Sequence, residues 1–162
     1  MSQLKKSIKE SLFYGKILLF GEYGVIEDSM ALSIPFENFN GHFIFHSDDE
    51  NFAQESNEHL LAYHQHLASL QAKGELPCAL DLDSFKHDID RGMLFDSSIP
   101  QGYGVGSSGA LVAAIYDKYA IGKIKSEQIE NGKILELKAV FGKLESYFHG
   151  TSSGLDPLIC YL

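Results

Sequence analysis

Between Ile99 and Tyr116 the sequence reads IPQGYGVGSSGALVAAIY, and its residue types suit the capture of an anion. Gly102, Gly104, Gly106 and Gly109 crowd a turn in which bare backbone can approach a ligand closely. Ser107 and Ser108 then lead into an apolar run without a helix breaker, which predicts a helix over 107–119. Such a helix aims its unpaired N–H groups and the positive end of its dipole into the turn, and phosphate is the usual anion held that way. A tight strand-to-helix turn with no ligand has a similar composition. The strand-like stretch 92–98 before the turn and the two hydroxyls at the junction favour the phosphate. The spacing matches neither of the two commonest phosphate loops: G-x-x-x-x-G-K-[ST] is absent, and Asp117 falls too early to be the acidic partner roughly twenty positions on.

Two other groups of residues carry chemistry. Gly15-Lys16 opens a segment that ends in Gly21-Glu22, and Glu145 is followed by His149-Gly150, Ser153-Gly154 and Asp156. Taken singly, each has a plain alternative. Ser108 reads equally as a helix cap, Glu145 as a surface or paired carboxylate, and Asp156 as a turn residue before Pro157.

The elements that must position these residues follow from the pattern along the chain. Residues 1–11 are polar, with Lys5, Lys6 and Lys9, and read as a loose or edge segment. Phe13, Ile17, Leu18, Leu19 and Phe20 predict a strand too apolar to alternate, hence buried on both faces. Residues 30–36 and 41–47 read as two further strands of an antiparallel sheet. After the acidic stretch 48–58, Ser56 is the expected cap of a helix ending near Lys73-Gly74. Residues 78–82 and 93–98 read as short strands. The helix over 107–119 is apolar nearly all round and must be buried centrally. A last helical region runs from about Ser126, with a hesitation at Gly132, to Phe148. Its stripe of Ile134, Leu137, Phe141, Leu144 and Phe148 faces the core, with Glu145 at the margin. The tail, 158–162, is apolar and strand-like.

Composition bounds the rest. The 162 residues fit one domain, and 44% hydrophobic with 12% aromatic residues excludes wholesale disorder. A net charge of −9 argues against nucleic acid or an anionic membrane as partner, so any anion site must be local. Cys78 and Cys160 stand in no metal-ligand spacing and read as buried thiols of a reduced, cytoplasmic protein. No segment has the form of a signal peptide or membrane span. His59 and His66, seven apart with His64 between them, could share a helix face, but no ligand set accompanies them.

Pro100, Gly102, Gly104, Val105, Gly106, Ser107, Ser108, Gly109 and Ala110 resemble the P-x-G-x-G-L-G-S-S-A-A motif of the GHMP small-molecule kinases. With the G-K-x-x-L-F-G-E and E-x-x-x-H-G-x-x-S-G-x-D patterns in the same order, the chain is similar to the mevalonate kinase branch from Leu12 to Asp156. The resemblance implies an α+β domain of the ribosomal protein S5 domain 2-like fold, a mixed or antiparallel sheet packed with helices. It implies ATP as phosphoryl donor and a small alcohol, mevalonate first, as acceptor. Residues 1–162 would be the N-terminal GHMP domain, and family members continue into a second domain that helps to close the site; that domain or a homodimer is the expected protein partner.

Phosphoryl transfer asks a protein mainly to position groups and neutralise charge. The glycine loop would hold the nucleotide phosphates, and Ser108 and Glu145 would hold the Mg²⁺ that bridges them. Asp156 would take the proton of the attacking hydroxyl, with Lys16 stabilising negative charge beside it.

Departures bear on the acceptor. Tyr23 stands where the branch commonly has histidine, and Phe13-Tyr14 replaces Ala-Pro, which leaves phosphomevalonate, homoserine or a sugar as alternatives. Gly109 in place of alanine should loosen the helix start by on the order of 1 kcal/mol. The competing class is a catalytically incomplete module that binds a partner through an apolar strand edge at 158–162. A related decarboxylase is disfavoured by the His149-Gly150 signature.

Overall fold

A computed structural model describes residues 11–20, 32–129 and 131–162. In chain order its elements are β1 (Phe13–Phe20), β2 (Leu32–Ile44), α1 (Glu50–Ala72), α2 (Leu82–Asp90), β3 (Leu94–Ser97), α3 (Ser107–Tyr119), α4 (Asn131–His149) and α5 (Leu155–Tyr161), with a 3-10 turn at Ser126–Gln128. The fold is α+β: the three strands form an antiparallel sheet in the order β1-β2-β3, packed with helices. The expectations for residues 1–10, for Gly21, Glu22 and Tyr23, and for the start of the strand expected at 30–36 lie outside the described residues.

The strands expected at 30–36 and 41–47 are one continuous strand over 32–44, and residues 45–47 lie beyond its end. β2 absorbs the irregularity by a bulge, since Tyr14 faces Asn40 whereas Gly15 faces Phe36. Phe36 and Phe39 meet edge-to-face at 5.5 Å across that bulge. The expectation that β1 is buried on both faces holds only for its first half. Phe13 and Lys16 are buried, but Leu19 is 45% and Phe20 72% exposed, because β1 is an edge strand of the described sheet and only its beginning lies against α3 and α5.

Ser56 is not a cap. The acidic stretch belongs to the helix itself: α1 begins at Glu50, and the Asp49 side chain accepts a hydrogen bond from Phe52 N at 3.0 Å. Ser56 is instead buried, and its Oγ accepts from Phe95 N at 2.9 Å, satisfying a backbone donor of edge strand β3. The strand expected at 78–82 reduces to a single bridge between Leu80 and Ala120. Helix α2 follows at once, capped by Asp81 and burying Leu82, Phe85 and Ile89.

The 158–162 tail is helical rather than a strand. Gly154, at φ 73°, turns the chain into α5, and Pro157 falls in the first turn, where a missing N–H costs no helical bond. Leu158 and Cys160 are buried, so no strand edge is presented there and the module reading loses the surface it relied on.

Helix α3 has the predicted bounds and is enclosed: Ala110, Val112, Ala113, Ala114 and Ile115 have no exposed surface. One side joins the main core with Leu60, Tyr63, Phe85, Phe141 and Leu144; the other packs with Phe13, Ile99 and Cys160 beneath the sheet. Each large apolar side chain so buried contributes about 2 kcal/mol, which fixes the start of α3 in place. In α4 the stripe holds at Leu137, Phe141 and Leu144, with Val140 added, whereas Phe148 at its end lies partly open to solvent. No described helix is long and apolar enough to cross a membrane.

Candidate active site

The glycine turn ends at Gly106, whose φ of 86° lies in the left-handed region and whose carbonyl accepts from Ala110 N at 2.9 Å. No side chain caps this helix start. The N–H groups of Ser107, Ser108 and Gly109 belong to the first turn of α3, which leaves them for a ligand or water. Gly102 and Gly104 also have positive φ and open space where a Cβ would stand. Pro100 and Val105 are half-buried at the two ends of the turn.

Val105 does more than fill a leucine position. Its carbonyl accepts from Lys16 N at 2.9 Å, clamping the glycine turn to β1. Gly15 permits that approach, since a Cβ there would lie 3.1 Å from the same oxygen. A Cβ on Gly106 would lie 3.0 Å from Lys16 Cγ, so the lysine stem runs directly along the turn.

The buried ammonium of Lys16 forms a 2.9 Å ion pair with Asp156 Oδ1, and Asp156 retains 30% of its side-chain surface. Gly109 explains how Asp156 reaches the helix start: an added Cβ would lie 2.9 Å from the Asp156 carbonyl carbon and 3.0 Å from Pro157 N. Glycine here is the condition for close packing of α5 on α3, beyond any loosening of the helix.

Glu145 is at the end of α4 and is 3% exposed, not marginal. Its Oε1 accepts from Ser108 Oγ at 3.1 Å and its Oε2 from Ser152 Oγ. Burial raises the Glu145 pKa, and the nearby Asp156 charge adds to this against the opposing pull of the Ser152 and Ser108 hydroxyls and of His149. A buried carboxylate held by neutral hydroxyls, with no ammonium or guanidinium partner among the described residues, is suited to a divalent cation. Among the described residues no group of three or more His, Cys, Asp or Glu side chains could hold a metal, the histidines of α1 included. Glu145 and Ser108 could supply two oxygen donors to an ion such as Mg²⁺, which takes few protein ligands beside water and phosphate oxygens.

Lys16, Ser108, Glu145 and Asp156 thus converge on the amino end of α3 from β1, α3, α4 and α5. The sequence did not single out Ser152, whose signal is its place in the TSSG turn; Cys160 is buried as expected, with its Sγ 3.8 Å from the Gly106 carbonyl. Burial, reinforced by Asp156 and Glu145, pushes the Cys160 thiol up to about 12, which makes it packing rather than a nucleophile.

A family model described as the GHMP kinases N terminal domain matches residues 66–162, more than half of the chain. The matched segment contains the glycine turn, Ser108, Glu145 and Asp156, while Lys16 lies before it. No curated protein and no solved structure matches the chain. The α+β architecture with its antiparallel sheet is consistent with the ribosomal protein S5 domain 2-like fold. An uncapped helix start behind a glycine turn, with an ion pair and a buried carboxylate gathered at it, is where that match falls, and the chain belongs to the GHMP kinase N-terminal domain family.

Proposed function

We propose that the chain supplies the phosphate-binding and proton-accepting half of a cytoplasmic kinase that phosphorylates the hydroxyl of a small alcohol at the expense of ATP, with mevalonate as the first choice of acceptor. The observation that carries this reading is the ion pair of Lys16 with Asp156, seated against the first turn of α3. A proton acceptor and a fixed cation there lie beside the backbone donors that suit phosphate oxygens.

In this reading the N–H groups of Ser107, Ser108 and Gly109 receive the terminal phosphates, and the open space at Gly102 and Gly104 lets the nucleotide approach the turn. Ser108 and Glu145 would hold Mg²⁺. The ion, when bound, neutralises phosphate charge. Asp156 Oδ accepts the proton of the acceptor hydroxyl, and the Lys16 ammonium stabilises negative charge on the oxygen as it attacks. Residues 1–162 act as the N-terminal GHMP domain, and a second domain, from the same protein or a partner, closes the site against water. The substitutions Phe13-Tyr14 and Tyr23 keep phosphomevalonate, homoserine and galactose in the panel of acceptors to be tested.

The test is ADP release with ATP and Mg²⁺ against that panel, on the chain with and without its downstream coding region. ADP release dependent on mevalonate is the expected result. Release with another member reassigns the acceptor, and no acceptor-dependent release from either form overturns the kinase reading.

A further inference from the structure

Ser108 Oγ has two partners and one proton. It lies 3.1 Å from Glu145 Oε1 and 3.1 Å from His149 Nε2. An ionised carboxylate only accepts, so without a cation the Ser108 hydroxyl donates to Glu145 and His149 Nε2–H donates to Ser108 Oγ. A cation shared by Ser108 and Glu145 inverts these demands. Oγ must turn a lone pair, and Oε1 its negative charge, toward the ion, and the Ser108 hydrogen then needs a different acceptor. Among the described residues, His149 Nε2 is the remaining group recorded at hydrogen-bond distance from that oxygen.

The imidazole is placed for this by local structure. His149 closes α4 one turn after Glu145, and Gly150 N returns a 2.8 Å bond to the Ser146 carbonyl, fixing the backbone from which the ring departs. The Phe148 ring, centred 6.4 Å away, stands beside it.

We propose that His149 is a positioning residue that accepts the Ser108 hydroxyl hydrogen bond when a divalent cation is held between Ser108 and Glu145, thereby aiming the Ser108 lone pair at the ion. This rests on the phosphoryl-transfer reading and extends it to a residue that touches neither metal nor substrate. In the cation-bound state His149 carries its proton on Nδ1, leaving Nε2 as the acceptor. The Nε2 proton passes to water as one is taken up at Nδ1 of the exposed ring, and with that change of tautomer the Ser108–His149 hydrogen bond reverses direction while the Ser108–Glu145 bond is given up to the ion.

The test uses Mn²⁺ as the probe, with free Mn²⁺ read by electron paramagnetic resonance in the presence of ADP, and ADP binding in EDTA as the control. His149→Phe should weaken Mn²⁺ binding about tenfold, the lower end of what losing an outer partner costs, and leave ADP binding in EDTA unchanged. His149→Gln, whose amide oxygen can accept the same hydrogen bond, should recover most of that loss. On a Ser108→Ala background His149→Phe should have no further effect, because the hydroxyl it serves is gone. His149 is exposed, so these variants leave the core intact. An unchanged Mn²⁺ affinity in His149→Phe, or an additive loss on the Ser108→Ala background, overturns the proposal while wild-type binding keeps the nucleotide site. Failure of the wild type itself to bind Mn²⁺ with ADP overturns both the proposal and the reading it rests on.

Discussion

Two carboxylates reach the amino end of α3 in different company. Asp156 retains contact with solvent and is paired at 2.9 Å with the ammonium of Lys16. Glu145 is buried, and its hydrogen-bond partners among the described residues are the hydroxyls of Ser108 and Ser152. The charge of the first is already balanced and its oxygens can exchange a proton with a substrate. The charge of the second is not balanced, and its pKa is raised chiefly by burial. In the proposed function this difference gives proton acceptance to Asp156 and cation binding to Glu145.

That contrast can be broken by substitution, starting with the largest effect. Asp156→Ala should abolish transfer, a loss of roughly a thousandfold or more in kcat for a missing general base, while nucleotide affinity stays near wild type. Because the alanine leaves Lys16 buried without its partner, Asp156→Asn serves as the packing control. Steady-state kinetics beside nucleotide titration checks this, and an active Asn or Ala variant removes Asp156 from the mechanism.

The opposite pattern is expected on the other side. Ser108→Ala and Glu145→Gln should each weaken Mg²⁺-dependent nucleotide binding by about tenfold or more, with metal-free nucleotide binding retained. Calorimetric titration with and without Mg²⁺ distinguishes them. Unchanged affinity in both variants would mean that the cation sits elsewhere.

The smallest effect sharpens the comparison through stability. Glu145 has a folded-state pKa above its unfolded one, so its contribution is fully present below the unfolded pKa and is lost as pH rises through the folded value. In EDTA the wild type should therefore lose stability as pH climbs past the ordinary carboxylate range, and Glu145→Gln should not. At neutral pH the Gln variant should be more stable by about 1 kcal/mol, as when a functional charge is neutralised. Thermal melts across pH measure it; a less stable Gln variant would show that Glu145 is a structural group.

Much of this site could be read from the chain because its parts rest on local rules. The bounds of α3 followed from a glycine turn, two serines and an uninterrupted apolar run, all of which act within a few residues. The burial of Glu145 did not, since its partner Ser152 is brought to it by the packing of the 150–154 turn on α4. Gly142 and Gly154 make that approach possible: a Cβ on Gly154 would lie 2.0 Å from the Lys138 carbonyl, and one on Gly142 would lie 2.9 Å from the Ser152 carbonyl. The tail departs from expectation because LICYL favours a strand by composition, while Gly154 and Pro157 start a helix that α3 then buries. Helix α2 leaves little trace in the sequence because nine residues give too short a period to register, although Asp81 and Ser84 form its cap. The single strand β2 looked like two because the bulge opposite Tyr14 and Gly15 interrupts the alternation.

The division of labour between the two carboxylates is tested most directly by crystals grown with Mn²⁺ and ADP and measured for anomalous scattering. The account predicts a single strong peak about 2.1 Å from the Glu145 carboxylate and Ser108 Oγ, with Lys16 and Asp156 still paired beside it. A peak bound to Asp156 and absent from Glu145 would contradict it.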